Sequence, residues 1–124
     1  MKTSELTGAA LDWAVARCEG ATDEWREDGP FLWNGVPCIR SGGHDVNYRP
    51  STEWWLGGPI IERERITLSC WSIHSTPWKA SIEGDTDAGV DLYVEHGTTP
   101  LIAAMRCYVA SKLGDDVDVP EELT

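Results

Sequence analysis

The residues of this chain that could do chemistry are concentrated between Tyr48 and Arg65, in the stretch YRPSTEWWLGGPIIERER. Its Trp-Trp pair offers aromatic faces on which a nucleobase can stack, a contact worth about 1–3 kcal/mol per base. Its arginines can each hold a phosphate or carboxylate through two parallel hydrogen bonds. A Gly-Gly pair lets the backbone approach an anion closely. The stretch therefore predicts a pocket for a small anionic ligand such as a nucleotide. The predicted ligand-binding residues are Tyr48, Arg49, Ser51, Thr52, Trp54, Trp55, Gly57, Gly58, Glu62, Arg63 and Arg65.

An ordinary protein surface explains the same stretch differently. Residues 62–65 alternate acid and base, which is typical of a solvated face with ion pairs worth less than about 1 kcal/mol each. Residues 57–59 (Gly-Gly-Pro) are typical of a sharp turn, and the Gly-Lys-Ser/Thr signature of a phosphate-binding loop is absent from the sequence. Trp54 fits a core position in this interpretation, with Trp55 alone exposed. The residue types leave both interpretations open.

Sequence motifs for catalysis are missing. The chain has no G-x-S-x-G, H-E-x-x-H or kinase-type motif. Glu62 and Glu64 are candidates for an acid–base pair, but residues two apart do not face each other on a helix. The sequence favours a binding protein over an enzyme, and a small enzyme acting on a nucleotide is a third hypothesis.

The histidines and cysteines do not form a metal-binding pattern. His44, His74 and His96 lack metal-type spacing, and no two cysteines form a C-x-x-C pair. The acidic turn at residues 83–87 lacks the full calcium-loop pattern. We therefore expect no metal and no cofactor, and free, mostly buried thiols in a reducing cytoplasm. The cysteines are Cys18, Cys38, Cys70 and Cys107.

The charge of the chain is strongly acidic, with 21 acidic and 10 basic residues and a net charge of −11. Such a field opposes direct binding to nucleic acid or to an anionic membrane. Solubility alone explains it. The alternative is an acidic surface that docks on a basic partner or imitates DNA, with residues 23–28 or 83–91 as the footprint and a steep dependence on salt. No apolar run approaches the roughly 18 residues of a spanning helix, so a cytoplasmic location is expected.

Two long helices are predicted at the ends of the chain. Helical spacing of apolar residues covers residues 4–19, with Thr3 or Ser4 as the cap and Gly20 as the stop. The second helix begins at Thr98-Thr99-Pro100 and ends at Gly114, with an apolar stripe along one face.

The middle of the chain is predicted to be mainly strands and turns. A hairpin spans residues 31–40 around an Asn-Gly turn, and residues 41–45 form a flexible loop. The Gly-Gly-Pro segment breaks a short helix and starts another, and strands follow from Ile66, at 78–82 and at 90–94. These elements predict an α+β fold: a single domain over residues 1–114, with N- and C-terminal helices packed on a small antiparallel sheet. Residues 115–124 form an acidic, mobile tail.

Three segments of the sequence together resemble a known family. They are KTSELTGAALDWAVARCEG, YRPSTEWWLGGPIIERE and TPLIAAMRCYVASKLGDDV, and they resemble the NinX-like proteins of lambdoid phages and prophages, small proteins carrying a domain of unknown function. The family's core pattern runs tyrosine, serine, proline, serine, threonine, aspartate, tryptophan, then Gly-Gly-Pro-Ile-Ile-Glu-Arg-Glu. This chain departs from it at Arg49, Glu53 and Trp55-Leu56, which enlarges and charges the same surface. The positions that match are Tyr48, Pro50, Ser51, Thr52, Trp54 and residues 57–64.

The resemblance implies a phage-encoded cytoplasmic accessory protein for host takeover or anti-defence, without supplying a mechanism. The leading hypothesis is a non-enzymatic protein that binds, and sequesters, a small anionic ligand such as a nucleotide immune signal. Direct inhibition of a host protein by the acidic surface is the alternative. Exposed Trp55 and Leu56 would also allow a homo-oligomer.

Overall fold

The computed structural model describes residues 1–70, 76–83 and 91–123. Within these ranges the chain forms three α-helices and two three-stranded antiparallel sheets, so the predicted α+β fold is confirmed. The helices are α1 (Gly8–Cys18), α2 (Trp54–Glu64) and α3 (Pro100–Leu113). The strands are β1 (Phe31–Trp33), β2 (Val36–Ser41), β3 (His44–Asn47), β4 (Thr67–Cys70), β5 (Trp78–Glu83) and β6 (Asp91–Gly97). Single 3-10 turns at Thr3–Glu5 and Glu121–Leu123 lie near the two ends.

Helix α3 is the centre of the molecule. Its start is as predicted: Pro100 is the first residue, and the side chain of Thr99 accepts a hydrogen bond from the Ile102 N–H at 3.1 Å. It packs against β5 and β6 on one side and against α1 and α2 on the other. Because several elements cover it, the helix is apolar around most of its circumference rather than along one stripe. Its buried residues are Leu101, Ala103, Ala104, Met105, Cys107, Tyr108, Val109 and Ala110.

The first helix begins later than predicted. A 3-10 turn at Thr3–Glu5 precedes α1, and Thr7 is the N-cap residue without a side-chain cap. Thr3, predicted as a cap, is buried, and its Oγ1 instead donates to the carbonyl of Gly114 at 2.6 Å. This long-range contact ties the start of the chain to the end of α3, and local sequence does not reveal it.

The first sheet consists of two consecutive hairpins. The predicted hairpin around Asn34-Gly35 is confirmed, with φ values of 50° and 80° at the two turn residues. The predicted flexible loop at residues 41–45 is wrong. Gly42 and Gly43 form a second two-residue turn, with φ values of 57° and 84°, that pairs Ser41 with His44. A Gly-Gly pair adopts these positive φ angles without steric cost, so it is as suitable for a tight hairpin as for a loop.

Helix α2 runs without interruption through the Gly-Gly-Pro segment, so the predicted pair of short helices is wrong. Pro59 lies inside the helix, where it removes one backbone hydrogen bond and costs about 3 kcal/mol. Leu56 and Ile60 are buried on the face that meets the core, and burying two such side chains contributes roughly 3–6 kcal/mol. Tertiary burial therefore outweighs the local signal to break the helix.

Arg65 ends α2 in a left-handed conformation, with φ 53° and ψ 49°. Its N–H donates to the carbonyl of Glu62, and the N–H of Ile66 donates to the carbonyl of Ile61 at 3.0 Å, the pattern of a Schellman motif. Glycine adopts this conformation without the steric cost that a side chain incurs. We expect Arg65→Gly to raise the free energy of unfolding by about 1 kcal/mol, measured by urea denaturation. An unchanged or lowered value would show that the arginine side chain makes a compensating contact.

The second sheet has the order β4-β5-β6. The strand predicted at 78–82 is confirmed as β5, which ends one residue later, and the strand predicted at 90–94 corresponds to β6, which continues to Gly97. The acidic turn at residues 83–87 lies outside the described residues beyond Glu83. None of the helices within the described ranges is long and apolar enough to cross a membrane.

The tail after α3 contacts the start of the chain. The N-terminal ammonium group of Met1 donates to Asp116 Oδ1 and to the Val117 carbonyl, both at 2.9 Å. Val117 is buried in the core cluster. The predicted mobility of residues 115–124 stays a prediction, and these contacts show where the first part of the tail is attached.

Candidate functional site

One opening on the described surface, which we call the main cleft, lies between α2, the first sheet and the loop after α1. Its volume is about 450 Å³, within the range of about 300–1,000 Å³ typical of small-molecule sites. Three predicted site residues line it, namely Tyr48, Trp55 and Arg63. Glu19, Arg26 and Asp28 complete the polar part of its wall.

The two tryptophans of α2 are both exposed, so the interpretation of Trp54 as a core residue is wrong. Trp54 is 55% exposed and Trp55 is 51% exposed. They serve different openings, however: Trp55 lines the main cleft, and Trp54 lines a separate groove beside the start of α3. Of the two rings, only that of Trp55 is therefore available to a ligand in the main cleft.

Arg63 is held by several partners. Its Nη1 and Nη2 donate to the two carboxylate oxygens of Glu19 at 3.0 and 2.8 Å, and its Nε donates to Glu64 Oε2 at 2.9 Å. Nη2 also donates to the Tyr108 hydroxyl at 3.2 Å, and the guanidinium lies 5.6 Å from the Tyr108 ring centroid. The hydrogen bonds that Arg63 donates to Glu19 and Glu64 raise the pKa of Arg63. Arg63 is thus a fixed, charge-balanced wall of the cleft rather than a free anion receptor.

The Tyr108 hydroxyl closes this network by donating to Glu19 Oε2 at 2.5 Å. Burial, together with this hydrogen bond to a carboxylate, raises the pKa of Tyr108. Glu64 also forms an ion pair with Lys112 at 3.5 Å. The network connects the end of α1 with α2 and α3 beneath the cleft, so it fixes the position of the cleft wall.

Arg26 is the more loosely held arginine of the main cleft, and the sequence analysis missed it. Its Nη1 donates to the Glu19 carbonyl at 3.4 Å, and its Nε lies 3.7 Å from Asp28 Oδ1. The side chain rests against Gly29, where an added Cβ would lie 2.3 Å from Nη2. The sequence signal was a single arginine in an otherwise acidic loop, three residues before a glycine. Its long contacts leave its guanidinium able to turn to an anion.

A second opening, which we call the Asp12 cavity, lies on the other side of Tyr48 and has a volume of about 280 Å³. Two predicted residues, Arg49 and Thr52, line it together with Tyr48, which is only 3% exposed and borders both openings. Burial raises the pKa of Tyr48. The other residues that line it are Gly8, Ala9, Asp12, Val36, Pro37 and Asn47.

Asp12 is a buried carboxyl group that the sequence analysis also missed. It is 4% exposed, and its Oδ1 accepts a hydrogen bond from the Ser51 N–H at 2.9 Å. Burial raises the pKa of Asp12, while the hydrogen bond from Ser51 and the charge of Arg49 oppose the rise. The hydroxyl of Ser51 is itself buried without a hydrogen bond of good geometry in the described part of the chain. An aspartate among the apolar positions of α1 was the signal available in the sequence.

The other predicted residues do not join either opening. Gly57 is buried against the backbone of Pro50, and Gly58 lies next to it within α2, so their interpretation as a sharp turn or as an anion-binding loop is wrong. Glu62 is exposed on α2, and Arg65 ends the helix.

Metal-binding groups do not converge in the described ranges. No set of three or more histidine, cysteine, aspartate or glutamate side chains there is placed to hold a metal ion. The four cysteines are free thiols, and burial raises the pKa of Cys18 to about 12.

The family model described as "Bacteriophage P22, NinX" matches residues 2–112, a span that includes the three helices almost completely and all residues of the main cleft and the Asp12 cavity. None of the curated proteins compared with the chain matches it.

Proposed function

The chain belongs to the Bacteriophage P22 NinX family, and from this we propose that it is a non-enzymatic phage accessory protein that binds and sequesters a small anionic ligand such as a nucleotide. Its place of action in this proposal is the host cytoplasm. The observation that carries the proposal is the exposed ring of Trp55 beside two arginines in a cleft of ligand size.

The ligand's aromatic part would stack on Trp55, and its anionic part would be held by Arg26. The side chain of Asp28, which forms an ion pair with Arg26, is 93% exposed. Water can therefore solvate the Asp28 carboxylate when an anionic ligand takes its place beside Arg26. Arg63 contributes a fixed, charge-balanced wall, because Glu19 and Tyr108 hold it in place. A rigid wall loses little side-chain entropy of its own when a ligand binds.

Sequestration would interfere with a host defence system that uses a nucleotide as its signal. The protein would act stoichiometrically and not catalytically, since each copy removes one ligand molecule from solution. The acidic surface repels the polyanionic backbone of a nucleic acid, so a single nucleotide is a better candidate ligand for this phage-family protein than a polymer. An enzyme acting on the same nucleotide is distinguished by the fate of the ligand, which a sequestering protein releases intact when it is denatured.

We expect at least one member of a panel of mono-, di- and cyclic nucleotides to raise the thermal midpoint of the protein. A ligand at a hundred times its dissociation constant adds about 2.7 kcal/mol of stability, which moves the midpoint of a domain of this size by several degrees. Trp55→Ala should then weaken binding by about 5- to 150-fold, since stacking contributes about 1–3 kcal/mol.

Trp54→Ala is the matched control. The two tryptophans are neighbours on α2 with similar exposure, but Trp54 lies in a different groove. Equal losses in both variants, or full binding by Trp55→Ala, would contradict the assignment of the main cleft. Recovering a chemically altered ligand would favour the hypothesis that the protein is an enzyme.

The acidic-surface hypothesis has one observation in its favour. Asp23, Glu24 and Glu27 are exposed, and none of them forms an ion pair within the described residues. If no nucleotide shifts the thermal midpoint, and a host protein is instead bound with an affinity that falls steeply with salt, this surface becomes the better candidate.

A further inference from the structure

The Asp12 cavity combines a buried acid with an opening to the surface. Asp12 is almost completely buried, yet it lines the cavity. Within the described residues only Ser51 hydrogen-bonds it. Because a carboxylate offers about four acceptor positions, acceptor capacity remains for a group that enters the cavity. A buried acid with unused acceptors is costly unless a donor satisfies them.

The charges around the cavity select the kind of donor. Arg49 lines the same cavity and is close enough for its charge to lower the pKa of Asp12. A cationic donor such as a guanidinium group would therefore be repelled at the entrance. A neutral group with N–H donors escapes this repulsion, and Arg49 remains available to an anionic substituent at the cavity mouth.

The size and walls of the cavity select the shape of the ligand. At about 280 Å³ it lies just below the range of about 300–1,000 Å³ for drug-sized molecules. One ring system fits this volume better than a complete nucleotide. Ala9, Val36 and Pro37 give it apolar walls beside the ring of Tyr48, which suits the faces of a flat heterocycle.

We infer that the Asp12 cavity is a second binding site, separate from the main cleft, for a neutral guanine-type ring. The ring's two adjacent N–H donors, at N1 and at the exocyclic amino group, would donate to the Asp12 carboxylate. Adenine presents an acceptor at N1, which would face the carboxylate and be repelled. Asn47 and Thr52 add polar groups on the wall. The site does not depend on the proposed function, because no residue of the Trp55 stacking surface contributes to it.

The test uses titration calorimetry of the full chain with guanosine, inosine and adenosine. Guanosine should bind most tightly. Inosine lacks the exocyclic amino group and should bind about tenfold more weakly, the loss expected for one hydrogen bond to a charged group. Adenosine should show no binding at this site. Equal affinities for guanosine and inosine, or no heat with guanosine, would overturn the inference.

Asp12→Asn tests the acceptor directly. The Asn Oδ1 can still accept a hydrogen bond from the Ser51 N–H, so the fold is expected to persist. An amino group replaces the other carboxylate oxygen, and its N–H donors would then face the N–H donors of the ligand. Guanosine affinity should fall at least tenfold. Ala9→Leu is an independent variant that narrows the cavity from α1 without changing Asp12, and it should weaken guanosine binding as well.

Trp55→Ala separates the two openings. Guanosine affinity should stay unchanged in this variant, since Trp55 lines only the main cleft. A loss in Trp55→Ala together with full binding by folded Asp12→Asn would place guanosine in the main cleft and refute the second site. A loss in Asp12→Asn alone supports the second site even if every nucleotide fails to bind the main cleft.

Discussion

Replacing Gly57 with alanine is expected to lower the free energy of unfolding by about 2–3 kcal/mol, the cost of overpacking a dense core. A Cβ at this position would lie 2.5 Å from the Pro50 carbonyl oxygen and 2.6 Å from Leu101 Cδ2. The carbonyl belongs to the backbone of the turn that also presents Ser51 to Asp12, so it cannot move aside without disturbing that contact. Urea denaturation of the variant and the parent measures the difference.

Gly58→Ala is the control on the same helix. The nearest heavy atom to an added Cβ there is Trp54 Cε3 at 4.0 Å, an ordinary contact distance. Alanine is favoured over glycine in a helix by up to about 1 kcal/mol, so this variant should be as stable as the parent or more stable. If Gly57→Ala were equally harmless, α2 would not lie against Pro50 and α3 as closely as the structure shows.

This pair of glycines shows where prediction from the sequence stops. Residues 57–59 have the local signals of a turn, and Gly57 instead serves the close approach of α2 to its neighbours. Elements fixed by local chemistry were predicted well, including the Asn34-Gly35 hairpin and the Thr99-Pro100 start of α3. The course of α2 depends on packing against Leu101, more than 40 positions along the chain, as well as against Pro50, and no local pattern contains the distant contact.

The candidate site was predicted in part for the same reason. The sequence identified Tyr48 and Trp55, which do line the main cleft, because aromatic residues in a glycine- and arginine-rich stretch are unusual. It missed Arg26 and Asp12, which lie in an acidic loop and in an apolar helix face. Their roles arise only when the first sheet and α2 are packed beside them, so composition and spacing alone could not assign them.

Arg63→Ala is expected to lower the free energy of unfolding by about 2 kcal/mol. Removing one partner of a fully buried ion pair costs about 3–5 kcal/mol, and the Arg63 side chain is 50% exposed, so solvent screening reduces the loss. The change leaves the carboxylate of Glu19, whose side chain is only 17% exposed, with the Tyr108 hydroxyl as its remaining side-chain partner. Glu62→Ala, at the preceding exposed position, should change stability by no more than about 0.5 kcal/mol.

The pH dependence of this loss follows from Glu64. The hydrogen bond from Arg63 lowers the pKa of Glu64 below its usual 4.5. A carboxyl whose pKa is lowered by folding contributes stability above its unfolded pKa and loses it as the pH falls through the folded value. The difference between Arg63→Ala and the parent should therefore be largest near neutral pH and shrink below about pH 4.5.

The same variant decides what Arg63 does in the main cleft. The sequence predicts a ligand-gripping arginine whose loss abolishes binding without affecting the fold. The contacts with Glu19, Glu64 and Tyr108 predict a destabilised protein in which binding weakens because the cleft wall moves. Arg63→Lys keeps the charge but cannot form the paired contact with Glu19, so it should also be destabilised. If both variants unfold like the parent and only binding is lost, Arg63 is a direct ligand contact and the network beneath the cleft contributes little to stability.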